Sequence, residues 1–287
     1  NGRSRRFRSS FLFNRNYGRK PIDFIDIGSF TSYEAGEPWA GYRQFCELFL
    51  YPLLLQSYKD VSFHPWLRGR LEGISAADLR ALLSARDYLR PGILTHVFLQ
   101  STAQARYEGS VRNIKADLQA AGFNEHLIRH NVKGLRKLVE RLRWSPARST
   151  WSDYSETHGY DAEAQQRKTA FVEHALSSRR WRLVWDLGCN TGTYARLACQ
   201  HADYVVAMDA DHVVIDRFYR SIADTTTRSR ILPLVCDLAD PSPGLGWRGR
   251  ERHPLLHRAR PDLILCLALV HHLVISRHIP LVELIEW

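Results

Sequence analysis

The sequence predicts an α/β fold, a parallel sheet with helices on its faces, preceded by a mostly helical region. Three observations carry this. From about residue 161 onward helix-like and strand-like segments alternate, and alternation of that kind builds a parallel sheet. Within it, "LVWDLGCNTGTYARLA" (Leu183 to Ala198) passes from apolar residues through two glycines into a helical pattern, as at the carboxyl end of a buried strand. From Glu37 to about Trp144, by contrast, apolar residues recur at helical spacing, punctuated by Pro52, Pro65, Pro91 and Gly122.

Residues 1–36 are basic (Arg3, Arg5, Arg6, Arg8, Arg15, Arg19, Lys20) with no acid before Asp23, and a flexible arm is expected there. They lack the apolar core and small-residue cleavage site of a secretory signal. Residue 1 is not Met, so the first residue is read as a boundary in a longer sequence. Residues 37–144 form the helical region. "FCELFLYPLLL" (Phe45 to Leu55) is its most apolar run; Glu47 and Pro52 interrupt it, it is too short to cross a bilayer, and it reads as a buried helix with a bend. "SAADLRALL" marks a helix start, with Ser75 as N-cap three residues before Asp78 and Leu79, Leu82 and Leu83 on one face. Another helix runs from Asn124, where Leu127, Ile128, Val132, Leu135, Leu138, Val139 and Leu142 make an apolar stripe expected to be core.

"SPARSTWSDYSETHGYDAEAQQ" breaks the helical pattern, which puts the domain junction near Ser145 and the sheet domain at 145–287. Its expected elements are a helix from about Asp161 to Leu176, strand Arg182 to Leu187, helix Thr191 to His201, strand Tyr204 to Met208, helix Asp211 to Ala223, strand Ile231 to Val235 and strand Asp262 to Ala268.

Composition sets the bounds. At 287 residues and 45% hydrophobic the chain can bury a proper core. Its net charge of +10 (40 basic minus 30 acidic residues) attracts anionic partners, but the arginines lie on the arm, in "KGLRKLVERLRW" and in "GWRGRERHPLLHRAR", without the aromatic interleaving of an RNA-binding motif. The five cysteines are scattered and never form C-x-x-C, which suits a reducing compartment, so a cytoplasmic location is expected. The pairs His126/His130 and His253/His257 have metal-ligand spacing but no third ligand nearby, so no metal site is expected.

Asp186, then Gly188 and Gly192, then a helix, is the geometry in which backbone N–H groups approach a ligand at a strand's carboxyl end. Glycine serves there because a Cβ collides with the ligand or forbids the turn. The D-x-G-x-x-x-G spacing differs from the pyrophosphate fingerprint and lacks the Lys of a P-loop. The next strand, "YVVAMDAD", ends in Asp209, where a carboxylate accepts hydrogen bonds from ribose hydroxyls, and the third runs through "LPLVCDLAD" to Asp237, in line with an exocyclic amine. Three such strand ends describe a nucleoside pocket with no provision for phosphate; the plainer reading of Asp209 and Asp237 is that each caps the turn after it.

Taken in order, "VWDLGCNTG", "VVAMDAD", "LVCDLADPSP" and "DLILCLALVHHL" resemble the motifs of class I S-adenosylmethionine-dependent methyltransferases. More narrowly, "WAGYRQFCELFLYPLLL", "WSDYSETHGY" and "DPSPGLGW" with "LALVHHL" resemble a bacterial group that includes nodulation-associated methyltransferases. The resemblance implies a Rossmann-like sheet with S-adenosyl-L-methionine as cofactor. It sets Asp186, Gly188, Cys189, Asn190, Thr191 and Gly192 against the methionine and ribose, Asp209 and Ala210 at the ribose hydroxyls, Asp237 and Leu238 around the adenine, and either Tyr160 or Tyr154 over the carboxylate end. At the carboxyl end of the fourth strand, His271, an imidazole with a pKa near neutrality, is the candidate catalytic base, with His272 read as structural. Family members that methylate amide or nucleobase nitrogens carry Asn/Asp-Pro-Pro-aromatic where this chain has "CLALVHH", so an oxygen or carbon acceptor on a small molecule is expected. RNA or protein methylation, or a non-catalytic cofactor-binding fragment, are the alternatives. Only four of the family's seven strands are placed, so a C-terminally truncated sequence is expected that binds cofactor weakly or not at all.

Overall fold

A computed structural model of the chain describes residues 5–7, 30–32, 39, 41–99, 125–145, 162–223 and 226–287. The chain divides into two units, residues 1–16 with 20–145 and residues 17–19 with 146–287.

In the first unit, inside the segment expected as an arm, β1 (Arg5–Phe7) pairs antiparallel with β2 (Phe30–Ser32). The run around Phe45 to Leu55 is helical throughout: α1 (Tyr42–Phe45) passes through a π-helical stretch, Cys46–Leu50, into α2 (Tyr51–Lys59). A proline has no N–H to donate, and the widened turns just before Pro52 take up the expected bend. Glu47 is buried in the π stretch and accepts from Arg43 Nε at 2.9 Å. After α3 (His64–Gly69), α4 (Ala76–Leu82) starts as its sequence prescribes, the Asp78 N–H donating to Ser75 Oγ at 3.0 Å. Short turns at Ala85–Leu89 and Ile93–Phe98 follow. Helix α5 (Glu125–Arg141) closes the unit: its Leu135 and Leu138 join Leu50, Leu54, Leu55, Ile74 and Leu79 in one core. Leu127 and Val132 of the predicted stripe are exposed instead, because at 100° per residue they fall on its two flanks.

The second unit carries α6 (Ala162–Ser177), β3 (Trp181–Leu187), α7 (Thr193–His201), β4 (Ala202–Asp209), α8 (His212–Ser221), β5 (Ile231–Val235), α9 (Leu255–Arg258), β6 (Leu263–Cys266), a π turn at His272–Ser276 and α10 (Leu281–Glu286). All four strands are parallel, in the order β5-β4-β3-β6. Alternate residues of β3 serve the two faces of the sheet. Val184 packs with Ala195, Ala198 and Phe218 of α7 and α8, while Leu183, Trp185 and Leu187 pack with Met208 and Leu255. Pro233 is tolerated because β5 lies at the sheet edge, where one side of the strand needs no donors. β6 stops at Cys266 rather than at the predicted Ala268, whose φ of 58° is left-handed and turns the chain away.

Candidate functional site

The order in space turns back between β3 and β6, so the loops after these two strands diverge and leave a crevice at their carboxyl ends. A cavity of about 630 Å³ occupies it, of the size that takes a nucleoside-sized ligand. Its wall includes Asp186, Gly188, Cys189, Asn190, Thr191, Asp209, Ala210, Asp237 and Leu238, as expected from the sequence. It also includes Gln165, Lys168, Thr193, Tyr194, His272 and Arg277, which were not expected there.

Hydrogen bonds fix the loop after β3. The Gly188 and Cys189 N–H groups both donate to the Met208 carbonyl of β4, at 2.8 and 2.9 Å, and the Asn190 N–H donates to Asp209 Oδ2 at 2.9 Å. Gly188, Asn190 and Gly192 all have left-handed φ, at 72°, 46° and 83°. Gly192 does not line the cavity, and the reason for glycine there is not the ligand. A Cβ would sit 2.1 Å from the Phe218 ring, so the missing side chain makes room for the core beneath α8.

Asp186 is the most confined charge in the crevice. It is 2% exposed, the Ala195 N–H in the first turn of α7 donates to it, and its Oδ2 has no hydrogen-bond partner among the described residues. Burial, reinforced by the nearby Asp209 carboxylate, pushes it up to about 7. Such an atom calls for a donor from a ligand, since a buried acceptor left alone costs its desolvation. From α6, Lys168 supplies the nearby positive charge; its Nζ lies over the Tyr194 ring at 5.1 Å, and Gln165 Nε2 donates to the Tyr194 hydroxyl at 3.1 Å.

Asp209 shapes its surroundings as much as it faces the cavity. Its Oδ1 accepts from the Asp211 N–H at 2.9 Å, its Oδ2 from the Asn190 N–H at 2.9 Å, and burial raises its pKa against these bonds and one from the Ala210 N–H. Asp211 in turn caps α8 through the Val213 N–H at 2.8 Å. Asp237 accepts from the Ala239 N–H at 2.9 Å and pairs with Arg277 at 2.8 Å across the cavity wall. Each oxygen of Asp237 thus keeps a lone pair beyond the bond that holds it.

The histidines exchange their predicted places. His271, expected as the base, is exposed at the N-cap of the π turn and lies outside the cavity wall, whereas His272, expected to be structural, lines it. Their rings lie 4.0 Å apart, and burial with the neighbouring His271 lowers the pKa of His272. Tyr160, expected over the carboxylate end, lies outside the described residues. Among the described residues no three His, Cys, Asp or Glu side chains cluster as metal ligands, and no helix is long and apolar enough to cross a membrane.

The strand order, the glycine turn after β3 and the acids closing β4 and following β5 make one assembly. The fold is a Rossmann-like parallel sheet in the order β5-β4-β3-β6, with helices on its faces. No protein-family model matches the chain. Over 273 residues, 94% of its length, the chain is 34% identical to nodulation protein NoeA of Rhizobium meliloti (strain 1021). It covers 56% of that protein, so the chain spans about half the length of the curated relative it matches. Among solved structures, the N-methyltransferase NodS of Bradyrhizobium japonicum WM9, crystallised with S-adenosyl-L-homocysteine, overlays 37% of this chain and 45% of its own at 16% identity and a TM-score of 0.27. An RNA methyltransferase described from Pyrococcus horikoshii overlays 44% of this chain and 53% of its own at 16% identity and a TM-score of 0.27.

Proposed function

We propose that this chain binds S-adenosyl-L-methionine and serves methyl transfer to an oxygen or carbon nucleophile, on a small-molecule acceptor. The observation that carries the reading is the orphaned, buried Oδ2 of Asp186 beside a fixed glycine turn. An α-ammonium is the donor such an atom fits, and Lys168 and the Tyr194–Gln165 pair on the same wall suit the carboxylate of the same amino acid. Asp209 on the cavity wall would take the ribose hydroxyls, and Asp237 with Leu238 the adenine edge. When bound, the cofactor's sulfonium supplies an electrophilic methyl.

The chain's own part is to exclude water, align the acceptor and hold or accept its proton. His272 is the group suited to receive that proton, since it lines the cavity and its lowered pKa keeps the imidazole neutral at pH 7. The absence of Asn/Asp-Pro-Pro-aromatic from "CLALVHH" supports a nucleophile other than an amino nitrogen.

Equilibrium binding of S-adenosylmethionine tests the first half. Wild type is expected to bind, and Asp209→Ala to bind at least about tenfold more weakly through loss of charge-assisted hydrogen bonds. No binding by wild type, or equal binding by the variant, contradicts the reading. For the base, His272→Ala is expected to lower turnover about a hundredfold at unchanged cofactor affinity, with His271→Ala far less affected. The reverse ranking returns the role to His271.

A further inference from the structure

The loop 244–252, "GLGWRGRER", is built to hold one indole in water. Trp247 at its tip is 79% exposed, in a turn where polar residues are the norm. The loop is not slack. Its base is an antiparallel bridge between Leu245 and Arg252, closed by the Leu245 N–H to the Arg252 carbonyl at 2.9 Å. Above it, the Gly249 N–H donates to the Gly246 carbonyl at 3.0 Å, and the Trp247 N–H donates to Glu251 Oε1 at 3.0 Å. Gly246, Arg248 and Gly249 are all left-handed, and a Cβ at Gly246 would lie 2.5 Å from the Glu251 side chain. Arg258 braces the base through Ser242 Oγ at 2.7 Å and the His253 carbonyl at 2.8 Å.

Around the indole basic side chains outnumber acidic ones, Arg248, Arg250 and Arg252 against Glu251. Arg248 and Arg250 flank Trp247, both exposed and neither with an ion-pair partner among the described residues. The loop's one acid, Glu251, is engaged by the Trp247 N–H. An exposed aromatic ring with exposed arginines one and three positions on suits a ligand that presents both π-faces and phosphates. A neutral sugar would use the indole and leave both arginines idle. A bilayer would need more apolar surface than one indole gives.

We propose that this loop is a contact site for single-stranded nucleic acid, with a base stacked on Trp247 and backbone phosphates on Arg248 and Arg250. The site is independent of the methyl-transfer reading, and its test uses no cofactor. Fluorescence anisotropy of a labelled mixed-sequence RNA 12-mer, titrated with the full chain between 50 and 200 mM salt, reads it out. Trp247→Ala should lower affinity about tenfold or more while Trp247→Phe stays near wild type, since stacking needs a ring and not the indole N–H. Arg248→Ala with Arg250→Ala should reduce the slope of log affinity against log salt by about 1.4, two phosphate contacts on a single strand. Thermal unfolding of each variant should match wild type, because the side chains removed are exposed. No RNA binding, RNA binding unchanged in Trp247→Ala, or Trp247-dependent binding to anionic phosphatidylserine vesicles in place of RNA each overturns the proposal. A mononucleotide bound as tightly as the 12-mer overturns it too.

Discussion

Two buried aspartates, one in each unit, carry opposite lessons. Asp87, 3% exposed in the helical unit, has its carboxylate filled by Lys59 Nζ at 2.8 Å and by the Ser84 N–H and hydroxyl at 2.7 Å each, with Arg90 Nε at 3.3 Å. Those partners, Lys59 first, pull it down to about 2. Asp186, 2% exposed in the sheet unit, has one oxygen without a partner among the described residues and is pushed up to about 7 by burial. The first is structure, with its polarity answered inside the fold. The second is answered only by something the fold does not contain, and that difference locates the site more sharply than depth of burial does.

The largest expected effect sharpens the same contrast with glycines. Gly192→Ala sets a Cβ into the Phe218 ring at a φ of 83°, and should destabilise the sheet unit by about 3–5 kcal/mol, read by chemical denaturation. Next, Asp186→Asn should weaken S-adenosylhomocysteine binding about a hundredfold while leaving stability unchanged or raised, because an unpaired buried charge is removed. Asp87→Ala should do the opposite, costing about 2–3 kcal/mol of stability with ligand affinity unchanged. If both aspartates lose stability equally, the distinction between them fails. The smallest effect lies on α5, where nothing stands within 4 Å of a Cβ at Gly134; Gly134→Ala should stabilise by about 0.5–1 kcal/mol.

The two carboxylates also predict opposite responses to pH. Asp87 titrates below its unfolded value of about 3.9, so its contribution is full above that value and is lost as pH falls through about 2. Asp186 titrates above its unfolded value, so between about pH 4 and 7 the folded state holds a proton that the unfolded state has released. Its contribution is full below about 4 and fades as pH rises toward 7.

Much of this was legible in the sequence where periodicity is strong. β3, β4 and β5 lie within two residues of their predicted ends, and the Ser75 cap is at the start its side chain dictates. What was not legible depends on conformation without a residue signature. Ala268 is an unmarked residue in a left-handed turn, so the end of β6 could not be read. Lys168 and Gln165 sit three residues apart on a helix before the sheet, a spacing indistinguishable from a solvated face until the fold sets them on the cavity wall. At Gly192 the close neighbour of a missing Cβ is the Phe218 ring, 26 positions on, a contact that only the fold reveals.

The role of Asp186 is tested most directly by the pH dependence of S-adenosylhomocysteine binding to wild type and Asp186→Asn, measured calorimetrically from pH 5 to 8. If the Asp186 carboxylate takes the ligand's ammonium, wild-type affinity is flat above about pH 7 and falls about tenfold per unit below it, as the carboxylate protonates. The Asn variant then binds weakly with no such slope. Equal affinity and the same slope in both proteins would contradict it.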